Sequence, residues 1–194
     1  MAMFSSFRLN RGMYVLRKKV TRMKKVKFSD NICKAKTMGI IWDASNPDEF
    51  AVLSRFHQKM QDRNIDLRVI GFYPGKELPD RITAIRYLTC LKQQDLNWFY
   101  RPVSPEAEKF INMQFNILID LNFRNEFPLE YLSTLSNAGF KVGPFNNTYK
   151  HNPFDLMLEV NTKTNLEDYL NQVIHYLEMI NTGKQMTNEI ILNK

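Results

Sequence analysis

The spacing of apolar residues changes at about residue 38. Before this point, apolar residues recur every three or four positions, and that period predicts an amphipathic helix with one apolar stripe. We place this helix from about residue 9 to residue 27, because the short polar side chains of segment 28–31 favour a turn. The stripe consists of Leu9, Met13, Leu16, Val20 and Met23.

After residue 38, short apolar runs alternate with helical patterns. We expect strands at 39–42, 67–72, 85–90, 115–121, 140–142 and 156–160, and helices at 47–63, 104–113, 128–137 and from 165 onward. This alternation predicts an α/β fold, a single three-layer domain whose mostly parallel sheet of five or six strands lies between helices. The last two strands are too close for a helix between them, so either a hairpin or a loop that crosses an edge joins them. The expected core includes Ile40, Ile41, Val69, Ile117, Leu118 and Leu158.

Positive charge is concentrated at the start of the chain. The chain has 194 residues and a net charge of +7, and eleven of its 27 Lys and Arg residues lie in residues 1–36 beside a single acid, Asp30. The remainder is slightly acidic. We therefore divide the chain into a basic helical arm (1–36), an α/β domain (37–181) and a polar tail (182–194), and the arm predicts a polyanionic partner.

We expect the arm to bind RNA or a ribonucleoprotein particle such as the ribosome, with no cofactor and no catalysis. The two cysteines, the lack of an apolar run long enough to span a bilayer and the lack of a secretory signal favour the cytoplasm. The alternative is peripheral attachment to an anionic membrane through the apolar stripe. The cations assigned to nucleic acid are Arg8, Arg11, Arg17, Lys18, Lys19, Arg22, Lys24, Lys25 and Lys27.

Few motifs in the chain indicate an enzyme. There is no dinucleotide fingerprint, phosphate loop, Cys-x-x-Cys pair or nucleophile elbow. Asp43, Asn46 and Asp120 follow or end predicted strands, where they form a candidate metal site for a nuclease or phosphohydrolase. The segment from Asp43 to Asn46 is similar to the opening motif of NYN/PIN-type ribonucleases. The alternative interpretation is that Ser45 or Asn46 only caps the next helix.

Three aromatic residues precede a cation in the segment from residue 95 to residue 102. Such a cluster can stack on bases or anchor a partner, and it can equally pack a long loop against the core. The candidate stacking residues are Trp98, Phe99, Tyr100 and Arg101.

Several segments together resemble a family of small bacterial proteins of unknown function. They are residues 36–44, 76–80, 95–99, 115–121, 127–129 and 140–143. The resemblance spans roughly residues 10–180 and includes the Lys-rich start of the chain. It implies membership of the family and brings no activity, cofactor or catalytic residue.

Overall fold

The protein is described by a computed structural model that covers residues 2–21, 34–75, 77–83, 85–145, 152–161 and 164–192. Its α-helices are α1 (Ala2–Val20), α2 (Phe50–Asp62), α3 (Pro105–Asn112), α4 (Phe127–Leu135) and α5 (Leu166–Leu192). Its strands are β1 (Thr37–Asp43), β2 (Asp66–Phe72), β3 (Leu88–Leu91), β4 (Gln114–Leu121), β5 (Asn137–Pro144) and β6 (Leu156–Leu158). No helix in these ranges is long and apolar enough to cross a bilayer.

The strands form one six-stranded sheet in the order β3-β2-β1-β4-β5-β6, and every pairing is parallel. The α/β prediction is therefore confirmed. The strand order reverses between β1 and β4. Strands β2 and β3 are added on one side of β1, and strands β4, β5 and β6 are then added on its other side. Parallel α/β sheets commonly hold ligands beside the carboxyl ends of the strands at such a reversal.

Apolar side chains fill both faces of the sheet, so it lies in a middle layer. Ile40, Val69 and Ile117 point to the face covered by α2 and α5, whereas Ile41 and Leu118 point to the face covered by α3 and α4. All six residues predicted for the core are buried, including Leu158 on β6. Continuous apolar strands need this cover on both sides.

Several predicted boundaries in the body are wrong, and two of them have a clear structural reason. The third strand begins at Leu88 because residues 86 and 87 form a turn. Helix α4 ends at Leu135, and residues 137–139 are the first part of β5, since Asn137 and Ala138 pair with Gln114 and Phe115 of β4. The helix is therefore shorter than the predicted range of 128–137, because pairing to a neighbouring strand overrides the local helical signal.

The connection between β5 and β6 is also decided by the structure. The two strands pair in parallel, so of the two open alternatives the hairpin is wrong. At the carboxyl end, α5 runs to Leu192 and includes most of the segment assigned to a separate tail. Helix α1 begins at residue 2 and ends at residue 20, earlier than expected at both ends. The predicted turn at 28–31 lies outside the described residues.

Candidate functional site

Helix α1 packs against the body through the apolar stripe that its sequence predicts. Leu16 is buried against Phe127, Tyr131 and Leu135 of α4, and Met13 and Val20 pack beside it. Met23 lies outside the described residues, and Leu9 stays partly exposed. The stripe is therefore used for packing within the molecule over most of its described length, and the polar face of α1 points outward.

The outward face of α1 is cationic. The described cations of the helix are Arg8, Arg11, Arg17, Lys18 and Lys19, and none of them forms an ion pair with a carboxylate in the described part of the chain. Lys18 lowers the pKa of the exposed Tyr14, chiefly through a hydrogen bond to its hydroxyl. The other predicted nucleic-acid contacts, at positions 22, 24, 25 and 27, lie outside the described residues.

The aromatic segment folds into a tight loop that is held by Asn97. The Asn97 side-chain oxygen accepts from the backbone N–H groups of Phe99 (2.9 Å) and Arg101 (3.2 Å). Tyr100 adopts a positive φ of 58°, an uncommon conformation for a residue with a side chain. Asn is suited to organise such a turn because its short amide reaches the backbone two residues later.

Arg8 joins this loop to α1. Its guanidinium lies 4.2 Å from the ring centroids of both Trp98 and Tyr100, and its Nε donates to the Trp98 carbonyl at 2.6 Å. Trp98 is 63% exposed, so its ring remains open to a partner. We call the five cations of α1 together with Trp98 and Tyr100 the basic–aromatic surface. Of the other two residues predicted for stacking, Phe99 places its carbonyl beside Gly12 of α1.

The remaining residue, Arg101, lies near the carboxyl end of α1. It lines a cavity of about 320 Å³ together with Lys19 and Tyr131, and its buried Nε has no hydrogen-bond partner among the described residues. Lys19 Nζ donates to the Tyr131 hydroxyl at 2.8 Å. Cationic side chains therefore lie near both ends of α1, with Arg8 toward its amino end and Lys19 and Arg101 at its carboxyl end.

A second group of polar residues lies where the strand order reverses. Asp43 ends β1, and its carboxylate accepts two hydrogen bonds from Arg124, at 2.6 Å and 2.9 Å, in a paired geometry. Its Oδ1 also accepts from the Ser45 hydroxyl at 2.7 Å. Arg124 follows β4, so this ion pair ties together the carboxyl ends of the two central strands.

The other candidate metal ligands have separate roles. Asn46 is exposed, and its side-chain oxygen accepts from the Asp48 N–H, the capping role considered from the sequence. Asp120 is paired with Ile41 in the sheet register, two positions deeper than Asp43. The described residues contain no group of three His, Cys, Asp or Glu side chains that could hold a metal ion.

Asp120 is fully buried under α4. Its Oδ1 accepts from the Asn122 N–H at 2.7 Å. The pKa of Asp120 is raised to about 7, chiefly by burial and to a smaller extent by the nearby Glu130, against the lowering effects of the Asn122 hydrogen bond, the Ser133 side chain and Lys141. The side chain is therefore inside the core and does not reach the edge of the sheet.

Sequence reasoning missed Arg124 and the bridging role of Arg8. Arg124 is a lone cation in a short loop, and no local pattern distinguishes it. Arg8 is separated from Trp98 by 90 positions in the chain, so their stacking depends on the docking of α1.

The fold and the surface define a doubly wound, all-parallel α/β protein with a basic helix docked on its outer layer. The chain belongs to a family of unknown function, DUF6913, whose model matches residues 12–180. This confirms the expectation from the sequence that the chain belongs to a family of unknown function. Comparison with curated proteins finds no match.

Proposed function

We propose that this protein binds single-stranded RNA through the basic–aromatic surface, without catalysing a reaction on it. The observation that carries the proposal is the stack of Arg8 between Trp98 and Tyr100, which places a cation beside the exposed ring of Trp98 and the half-buried ring of Tyr100. Proteins that bind single strands combine a cationic track for phosphates with aromatic rings for bases. An RNA segment in a ribonucleoprotein particle offers the same chemistry.

The orientation of α1 favours this proposal over attachment to a membrane. An amphipathic helix enters a bilayer with its apolar face, but here that face is packed on α4 at Leu16. The helix is 19 residues, or about 28 Å, long, which allows several phosphates to lie along it. Exposed rings favour single strands over a duplex, since the bases of a single strand are free to stack.

The test uses the full chain and a fluorescein-labelled single-stranded RNA, with anisotropy measured over a salt series. Affinity should fall by about 0.7 log units per log unit of salt for each phosphate neutralised. The variant Lys18→Gln should bind more weakly and have a shallower slope. Lys59→Gln is the matched control, because Lys59 is an exposed cation of α2, on the opposite side of the sheet.

A second pair of variants tests the rings. Trp98→Ala should raise the dissociation constant by about 5- to 150-fold, the equivalent of about 1–3 kcal/mol for one stacked base. Tyr176→Ala is its control, because Tyr176 is an exposed ring on α5. If, in either pair, the test variant and its control lose the same amount of RNA affinity, the proposal is contradicted. Binding to anionic vesicles in the absence of any RNA binding would replace it with the membrane alternative.

A further inference from the structure

A cavity of about 440 Å³ opens beside the basic–aromatic surface, at the carboxyl-terminal edge of the sheet. It is lined by Leu9 of α1, by Tyr100 of the aromatic loop and by Phe72 at the end of β2. Asn125 and Glu126, just before α4, also line it. Its volume is typical of sites that take a small molecule or a single group of a larger ligand.

The walls and the rim of the cavity differ in chemistry. Leu9, Phe72 and Tyr100 are apolar or aromatic, whereas Gln93, Asn125 and Glu126 bring amide and carboxylate groups. Both Tyr100 and Asn125 have a positive φ, of 58° and 60°. Flat apolar walls with a few hydrogen-bonding groups suit a planar heterocycle that has polar edges.

Charge determines how such a ligand would be oriented. Burial and the nearby Asp43 raise the pKa of Glu126, and Arg124, which is paired with Asp43, lowers it, so two carboxylates outnumber one cation around Glu126 and disfavour phosphate there. By contrast, Arg8 stacks directly on Tyr100, which itself lines the cavity. A nucleotide would therefore direct its base inward and its phosphate toward Arg8 and α1.

We propose that this cavity receives one unpaired base of the RNA bound on the basic–aromatic surface, and that Glu126 reads its edge. This inference rests on the proposed function. The Glu126 carboxylate makes no hydrogen bond in the described part of the chain and, when ionised, it only accepts hydrogen bonds. Adenine and cytosine offer an amino group to such an acceptor, whereas uracil presents two carbonyl oxygens beside a single N–H. The cavity thus favours adenine or cytosine over uracil.

The experiment compares labelled ten-nucleotide strands of oligo(A), oligo(C) and oligo(U) on the full chain at one low salt concentration. We expect oligo(A) or oligo(C) to bind about 5- to 150-fold more tightly than oligo(U), the range of discrimination that one well-made base contact provides. Leu9→Trp fills the cavity from the exposed side of α1 and should bring this ratio close to one. Glu126→Gln should also lower the ratio, because an amide both donates and accepts.

Met179→Trp is the matched control, an exposed apolar position on α5 outside the cavity, and should keep the wild-type ratio. Binding with equal affinity for all three strands would overturn the base cavity and leave the proposed RNA surface standing. A preference for oligo(A) or oligo(C) over oligo(U) that persists in both Leu9→Trp and Glu126→Gln would also overturn the proposal that the cavity holds a base. Failure of every strand to bind at low salt would overturn both proposals together.

Discussion

Asp120 carries a carboxyl group that is fully buried in the core. Its Oδ2 is buried without a hydrogen-bond partner among the described residues, and desolvation raises its pKa to about 7. Glu130 of the covering helix α4 has a pKa that burial also raises to about 7. Two carboxyl groups thus resist ionisation on the same side of the sheet, and the folded state holds their protons more tightly than the unfolded chain.

The raised pKa values determine the sign of the change in folding stability with pH. A folded-state pKa above the unfolded value contributes stability at low pH that is lost as the pH rises through about 7. We expect Asp120→Asn to remove this loss, because the amide keeps an oxygen for the Asn122 N–H and carries no charge. Urea unfolding at pH 5.5 and pH 8 should show the variant gaining stability over wild type at the higher pH.

Glu106→Gln provides the control for this measurement, since Glu106 is an exposed carboxylate on α3. Its urea midpoint should follow that of wild type at both pH values. If the curves for Asp120→Asn and wild type stay parallel between pH 5.5 and pH 8, the carboxyl of Asp120 does not titrate in this range.

At the scale of elements, the contact between α1 and the body depends on Gly12. A Cβ at this position would lie 2.5 Å from the Phe99 carbonyl oxygen and 2.8 Å from Phe127 Cε1. The helix therefore approaches the aromatic loop and α4 as closely as a backbone allows. This close approach is what brings Arg8 over Trp98 and Tyr100.

The variant Gly12→Ala tests whether the steric cost at this contact outweighs the higher helix propensity of alanine. Alanine within an isolated helix is about 1 kcal/mol more favourable than glycine. Here we expect the opposite sign, because overpacking at a close contact costs about 1–3 kcal/mol. Hydrogen exchange should show α1 amides losing protection while the sheet amides keep theirs. Asn10→Ala, at an exposed position of the same helix, should not lose protection; an equal response of the two variants would contradict the prediction.

At the scale of the whole molecule, the reversal of strand order determines which polar groups meet. It brings Asp43 of β1 beside the loop after β4, where Arg124 takes one oxygen and shares the other with Ser45. Arg124 is 53% exposed, so this pair contributes only about 0–1 kcal/mol to stability. Its main effect is chemical, since it occupies the carboxylate that a metal ion would need.

We therefore expect Mg²⁺ and Mn²⁺ to leave the melting temperature unchanged. Binding of an ion only to the folded state would raise the melting temperature by mass action. The measurement is thermal unfolding of chelator-treated protein with and without millimolar ion, with Asp43→Ala in parallel. An increase in wild type that Asp43→Ala abolishes would favour the metal-dependent nuclease or phosphohydrolase instead.

The sequence alone determined the class of fold and the location of the positive charge. The runs at Ile40–Ile41 and Ile117–Leu118 predict buried strands because apolar periodicity is a local property that packing on either face preserves. The stripe at Leu16 predicted one face of α1 for the same reason. In each case, the residues that are close together in the sequence are sufficient to predict the element and its buried face.

Only the tertiary structure decided which distant residues meet. Arg8 and Trp98 lie 90 positions apart, and Asp43 and Arg124 lie 81 apart, so their contacts follow from helix docking and strand order. The start of β5 is decided in the same way, because pairing with β4 outweighs the helical pattern that was predicted to extend to residue 137. Local patterns do not encode which strands become neighbours or where a helix docks, and both proposed binding features depend on these long-range contacts.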